Sequence, residues 1–273
     1  VSTYQAWVGK TLEQRDVISQ AGVDRFCATF GLEHEGTFAP HGYHWCLCLP
    51  DTSTSELGLD GHPPKGGFMP SINLPRRMWA ASRVEFLRPL PLGASIVRRS
   101  SITAINEKTG KTGALVFVEV DHETWVNDDI AIREQQTIVY REAAGSRTPL
   151  PKVSAGAPDG WQIVEQLKPE PTILFRYSSL TFNTHRIHYD LPYAKSEELY
   201  PALVVQGPLM ATQALQLAAQ HGEIKEFSFK ALSAAFCDQP LYLTANINGR
   251  QGKVATIGGD GRTCLKADVI FKD

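Results

Sequence analysis

The chain repeats itself, and that repetition limits its fold more than any other feature. The run Val84-Glu85-Phe86-Leu87 leads to a strand-like stretch at residues 96–106, and Phe227-Ser228-Phe229-Lys230 leads in the same way to residues 241–248. Phe86 precedes Asn106 by 20 residues and Phe229 precedes Asn248 by 19. A glycine-rich turn follows in each copy. Each copy closes on a strand with an aromatic near its exit, Thr137-Ile138-Val139-Tyr140 and Asp268-Val269-Ile270-Phe271. Identity between the copies is slight, so order and spacing carry the match. Two such units fit the 273 residues present, given roughly 150 residues per domain.

Local patterns fill in the units. Residues 16–30 read as a helix, with Asp16 where an N-cap belongs, Ile18, Val23, Phe26 and Phe30 near helical spacing, and Gly31 after it. Residues 31–75 are rich in Gly, Pro and Ser and read as long structured loops with one strand at 45–49. Loops of that length usually form lids or binding walls. Strands follow at 83–88, 95–105, 114–126 and 130–140, joined by turn chemistry at Lys108–Gly113 and Asn127-Asp128-Asp129. Residues 143–160, with Gly145, Pro149, Pro151, Gly156 and Pro158, read as a linker. The expected layout is therefore an N-terminal unit at 1–142, the linker, and a C-terminal unit at 161–273. Residues 208–220 read as a second helix, with Pro208 suited to its first turn and Gly222 just beyond its end. A long helix wrapped by an antiparallel sheet, twice over, is an α+β tandem.

Composition narrows the function. Lys and Arg number 27 against 29 Asp and Glu, too even a balance for a protein that lives on nucleic acid. No apolar run approaches the roughly 18 residues of a membrane helix. The start, Val1-Ser2-Thr3-Tyr4-Gln5, has no basic and apolar leader pattern. Five irregularly spaced cysteines favour reduced thiols, and together these features point to the cytoplasm. There is no G-x-G-x-x-G, Walker loop or G-x-S-x-G elbow, so nicotinamide, nucleotide and serine-hydrolase readings lack their motif.

Two features carry possible chemistry. The densest polar cluster is Asn183-Thr184-His185-Arg186-Ile187-His188-Tyr189-Asp190, which reads either as a solvated capping loop or as a pocket with two imidazoles and an amide. The second is Val204-Val205-Gln206-Gly207-Pro208, where free backbone N–H groups at a helix start suit an oxyanion. An imidazole beside such a helix start is the minimum kit for proton transfer next to a carbonyl.

These segments resemble the hydratase motif of the MaoC-like hydratases and dehydratases, whose signature is Gly-Asp-x-Asn-Pro-x-His followed by His-Gly at the central helix. His188 falls on the family's histidine, Asn183 on its aspartate and Gly207 on its oxyanion glycine. His185-Arg186 stand for Asn-Pro, and Gln206 for the His of His-Gly. The run of residues 176–190, with Leu74-Pro75-Arg76-Arg77-Met78-Trp79-Ala80 and Val84-Glu85-Phe86, is similar to the double hot-dog group of itaconyl-CoA and mesaconyl-C4-CoA hydratases and mitochondrial-type 3-hydroxyacyl thioester dehydratases. The resemblance implies a tandem hot-dog fold whose first copy is degenerate. It implies a hydro-lyase that adds water reversibly at the carbon β to a thioester carbonyl, with no cofactor or metal beyond the CoA of the substrate. Itaconyl-CoA or mesaconyl-C4-CoA, giving citramalyl-CoA, is the first expectation. Fatty-acid 3-hydroxyacyl dehydration, thioester hydrolysis and plain acyl-thioester binding stay open.

In that reading His188 is general base and acid, Asn183 orients water, and the Gly207 amide stabilises the enolate. His185, Arg186, Gln206, Arg76 and Arg77 are the expected substrate contacts. Arg186, Arg76, Arg77 or Arg83 would meet a distal carboxylate, which favours arginine. His41, His44, Cys46 and Cys48 lack zinc spacing and read as buried groups. Asp121-His122-Glu123 reads as a mostly solvated strand segment. A monomer and a homodimer are both open.

Overall fold

The computed structural model describes residues 4–110, 113–153 and 157–273. Val1, Ser2 and Thr3, the turn residues Lys111 and Thr112, and the linker residues Ser154, Ala155 and Gly156 lie outside them. The first half contains β1 (Thr11–Val17), α1 (Gln20–Phe30), β2 (Arg76–Phe86), β3 (Ser95–Gly110), β4 (Gly113–Val126) and β5 (Asp129–Arg141). The second contains β6 (Ile163–Leu167), α2 (Pro171–Leu180), α3 (Leu191–Ser196), α4 (Gly207–Ala219), β7 (Ile224–Ala231), β8 (Leu241–Asn248), β9 (Gln251–Gly258) and β10 (Thr263–Phe271). The strands form one antiparallel sheet in the order β1-β3-β4-β5-β2-β7-β10-β9-β8-β6.

That order is a palindrome of roles. β2, β5, β4, β3 and β1 run outward from the middle on one side, as β7, β10, β9, β8 and β6 do on the other. The seam pairs Ala81–Glu85 of β2 with Lys230–Glu226 of β7. Val84 lies directly opposite Phe227, and these two residues share the sequence offset of the repeat markers Phe86 and Phe229. The pseudo-two-fold therefore passes through the Val84–Phe227 pair, both side chains wholly buried. The repeat read in the sequence is the symmetry of the sheet.

The helices break that symmetry. α1 follows the edge strand β1 as α2 follows β6, and the two touch through the Phe30 and Tyr177 rings, 6.1 Å apart. α4 is the helix the second half wraps. Leu209, Met210, Ala211, Thr212, Ala214, Leu215, Leu217 and Ala218 are all buried, so it is apolar around most of its circumference, as a helix enclosed by protein must be. Between α1 and β2 no such helix stands, only loops and the short 3-10 turns Tyr43–Cys46 and Thr54–Glu56.

Several local expectations shift. Asp16 sits in β1, where its carboxylate accepts from the Val17 and Cys48 N–H groups. Ser19 is the N-cap of α1, its Oγ accepting from Gly22 N–H, and Gly31 ends the helix at φ 65. The strand expected at 45–49 is the Tyr43–Cys46 3-10 turn, because Gly42, at φ 87, swings the chain into a turn before Trp45.

Candidate active site

The polar cluster is built on the end of α2. Asn183 N–H donates to the Ser178 carbonyl at 2.8 Å, and Asn183 Oδ1 accepts from His185 N–H at 3.0 Å. This Asx turn leaves the amide NH2 as the donor available to a ligand. A 3-10 turn, Arg186–His188, then leads to Asp190, which caps α3 by accepting from Tyr193 N–H. His188 is buried, and its Nδ1 lies 2.7 Å from the Val204 carbonyl. A carbonyl only accepts, so Nδ1 carries the proton and Nε2 keeps its lone pair. Burial, with help from His185, pushes the His188 pKa down to about 3 against the pull of Val204. At neutral pH His188 is therefore an uncharged base.

Gly207 opens α4 ahead of Pro208. Among the described residues nothing accepts from its N–H, as expected of a first-turn amide. A methyl placed on Gly207 would stand 3.7 Å from the Trp79 carbonyl, so the space over the helix start is open. Asn183, His185, His188 and Gly207 share one cavity of about 1010 Å3 between the halves, which also reaches Arg141 and Arg262. An amide donor, a neutral imidazole and a free N–H at a helix start thus line one space, an arrangement able to hold water beside a polarised carbonyl.

The remaining expected contacts divide. Gln206 is fully buried and turned toward α2, donating to the Leu174 carbonyl and Ser178 Oγ, so it ties α4 to α2 and does not line the cavity. Arg186 is spent on Asp190 (2.7 Å), the Leu59 carbonyl and the Tyr193 ring, also off the cavity wall. Arg83 pairs with Glu226 at the exposed face. Arg76 lines the cavity but is held by Glu198 at 2.7 Å. Arg77 lines it too and donates only to the neutral Pro63 carbonyl. Of the four arginines expected to meet a carboxylate, Arg77 alone is without one.

The structure adds residues the sequence did not single out. The loop after α1 folds over the cluster: Arg186 N–H donates to the Asp60 carbonyl, and Thr184 Oγ1 donates to the Gly61 carbonyl. Gly61, at φ +84, lies so close to Thr184 that a Cβ there would sit 1.9 Å from its carbonyl oxygen. This staple brings His62 against His185, ring centroids 4.1 Å apart. His62 Nδ1 bonds Asp60 at 2.9 Å, and His185 Nε2 approaches Glu198 at 3.7 Å. Burial raises the Glu198 pKa, but the approach of His185 and Arg76 outweighs it and holds the carboxylate below its usual range. Burial pushes His62 down to about 4. The only adjacent signal in sequence is the Gly-rich run at residues 61–67.

Among the described residues, Asp60, His62 and His185 are the group whose ligand atoms converge, within 4.8 Å, as metal ligands do. His41, His44, Cys46 and Cys48 form no such group, and both thiols are buried. Asp121 and Glu123 point outward, to Gln135 and Arg133. His122 corrects the solvated reading: it points inward to Ser100 at 2.7 Å, as strand alternation requires of a residue between two outward ones.

Comparison with known proteins fits this geometry. Residues 42–237 match the model of the family described as hydroxyacyl-thioester dehydratase type 2, and the chain belongs to that family. The family and its curated relatives make it a hydro-lyase, adding water to or removing it from an acyl thioester, on a tandem hot-dog fold. The chain is 40% identical over 272 residues to mesaconyl-C(4)-CoA hydratase of Chloroflexus aurantiacus, covering 97% of both chains. It superposes on a MaoC-like dehydratase from Phytophthora capsici with a TM-score of 0.77 at 14% identity, covering 100% of this chain and 98% of the other. A Mycobacterium tuberculosis protein described as having a double hot-dog fold aligns at TM-score 0.59 and 11% identity, over 96% and 95% of the two chains.

Proposed function

We propose that this enzyme hydrates mesaconyl-C4-CoA, and itaconyl-CoA after isomerisation, to citramalyl-CoA, a role in itaconate breakdown. The observation that carries the reading is the convergence of His188, Asn183 and Gly207 on one cavity that Arg77 also lines. The likeness to a mesaconyl-C(4)-CoA hydratase supports it. In the hydration direction Asn183 holds the water by its amide, and His188 Nε2 takes a proton as oxygen bonds to the β carbon. The thioester oxygen gathers the enolate charge against the Gly207 N–H. His188 then returns its proton to the α carbon, and the ring is neutral again. Itaconyl-CoA gives up an α proton to form a dienolate, which becomes mesaconyl-C4-CoA when a proton returns to its terminal methylene carbon; the charge again sits on the thioester oxygen, so one oxyanion site serves both steps. The balance of atoms needs no cofactor. Every group named lies in one chain, so a single copy holds the site. All five cysteines are free and buried, which fits a reducing cytoplasm.

One observation favours the dehydratase alternative. A smaller apolar pocket of about 270 Å3, walled by Trp45, Trp79, Tyr177 and Phe182, also meets Asn183 and suits a short fatty acyl chain. Mass-resolved turnover separates the readings. The proposal expects mesaconyl-C4-CoA to gain one water while crotonyl-CoA changes slowly. Faster hydration of crotonyl-CoA would favour the fatty-acyl reading, and release of free CoA would make the protein a thioesterase.

A further inference from the structure

The first half carries a second hollow. Where α4 fills the inner face of the other half, a cavity of about 330 Å3 stands here, apolar at Phe68, Met69, Val120 and Ile138. Its polar wall is Arg77, Arg98, Ser100, His122, Gln136 and Tyr140. Strand register puts these on one face: Ser100 lies opposite His122, and Tyr140 opposite Arg77.

Three polar atoms in this wall are buried without a partner: Arg98 Nε, His122 Nε2 and Tyr140 Oη. Tyr140 is 0% exposed. Gln136 and Arg77 come close enough to His122 and Tyr140 to bias their protonation, but neither approach has hydrogen-bond geometry. Orphaned buried polar groups each cost stability, so three around one space call for a ligand. The charge balance says which kind. Arg98 donates to the Leu47 and Cys48 carbonyls and to Gln14 Oε1, all neutral. Arg77 likewise meets only a carbonyl. Glu134, the buried carboxyl nearby, is engaged by Trp45 Nε1 at 3.0 Å and Ser82 Oγ at 2.5 Å, and burial raises its pKa toward the neutral form.

This hollow adjoins the catalytic cavity: His62, Arg77, Met78 and Trp79 line both. Trp79 also borders the space over Gly207. A short acyl chain whose thioester lies at Gly207 therefore has the hollow within reach. The apolar pocket on the other side has no arginine or lysine in its lining.

We infer that the hollow of the first half seats the distal carboxylate of the acyl group, held by Arg77, Arg98, His122 and Tyr140, so that the enzyme selects thioesters whose acyl chain ends in a carboxylate. The inference rests on the dicarboxylyl reading above and names the residues that would enforce it.

Binding tests it apart from turnover. S-(3-carboxypropyl)-CoA and S-butyl-CoA are thioethers of equal chain length that cannot be hydrated and differ in the terminal carboxylate. The wild-type enzyme should bind the carboxypropyl compound at least about tenfold more tightly, the scale of one charged hydrogen bond. Tyr140→Phe, which removes an unpartnered hydroxyl and disturbs no existing bond, should cut that preference severalfold. Arg77→Met should abolish it. Tighter binding of S-butyl-CoA by the wild type would overturn the assignment, as would an unchanged preference in folded Arg77→Met and Tyr140→Phe. A carboxylate preference that these variants lose, in an enzyme that fails to hydrate mesaconyl-C4-CoA, would uphold the pocket and sink the reaction instead.

Discussion

The second half of the chain fills its sheet with a helix, and the first half leaves the same place to loops and a polar hollow. Both halves build five strands in the same spatial order around the Val84–Phe227 seam. Only the second puts an apolar helix inside them, and that helix brings Gly207 to the site. The first, relieved of a helix, gives up chain to a loop that reaches across to the polar cluster at residues 183–190 and delivers Asp60 and His62. A duplicated fold can thus keep one copy for packing and chemistry while the other supplies walls. The division is physical: a close-packed interior has no room for a ligand.

If the second half is the packed one, truncation there should cost most. Leu215→Ala, at a fully buried position of α4, should lose about 2–5 kcal/mol in denaturant unfolding. Tyr140→Phe, which removes an unpartnered hydroxyl from the hollow of the first half, should change stability by less than about 1 kcal/mol. Comparable losses at both positions would erase the distinction.

The crossing loop offers a finer test. Gly61→Ala must displace the loop, because of its positive φ and the Thr184 carbonyl 1.9 Å from the added Cβ. It should lower Tm by several degrees and slow hydration at least about tenfold, through the misplacement of positioned groups. Gly67→Ala, with nothing within 4 Å of its Cβ, should match the wild type in both assays. Normal activity in Gly61→Ala would show that the loop is not part of the site.

Another test concerns pH. Burial holds His44, His122 and His188 at about 3, and His41 and His62 at about 4. In the unfolded chain these rings bind protons below about 6.5, whereas the folded ones do not until far lower. Their contribution to stability is complete above that value and is lost as pH falls toward 4. Tm should be level from pH 7 to 8 and decline steadily from 6.5 to 4.5, with a shallower decline in His44→Phe. A Tm independent of pH down to 5 would contradict neutral buried rings.

The contrast also explains what could be read in advance. Strands β3, β4, β5 and β8 were legible because alternation and turn residues are local, and the repeat followed from their spacing. β1 was not: it is an edge strand whose apolar residues, Leu12 and Val17, are exposed at 37% and 48%, so no buried face marks it. In the site, Asn183, His188 and Gly207 stood in contiguous motifs. His62 did not, since its place depends on a close approach between Gly61 and Thr184, residues distant in sequence. The arginines show the same limit. Arg186 lies inside the motif yet is neutralised by Asp190, four residues on, while Arg77 lies outside it and keeps its charge unpaired.

We propose that one neutral imidazole in the second half, His188, moves the proton. This is tested most directly by the turnover of mesaconyl-C4-CoA by His188→Gln, with folding checked by Tm and by binding of S-(3-carboxypropyl)-CoA. The variant should fold, still bind the thioether and lose at least about 10²-fold in kcat, the low end for general acid–base catalysis. A folded His188→Gln enzyme turning over near the wild-type rate would contradict it.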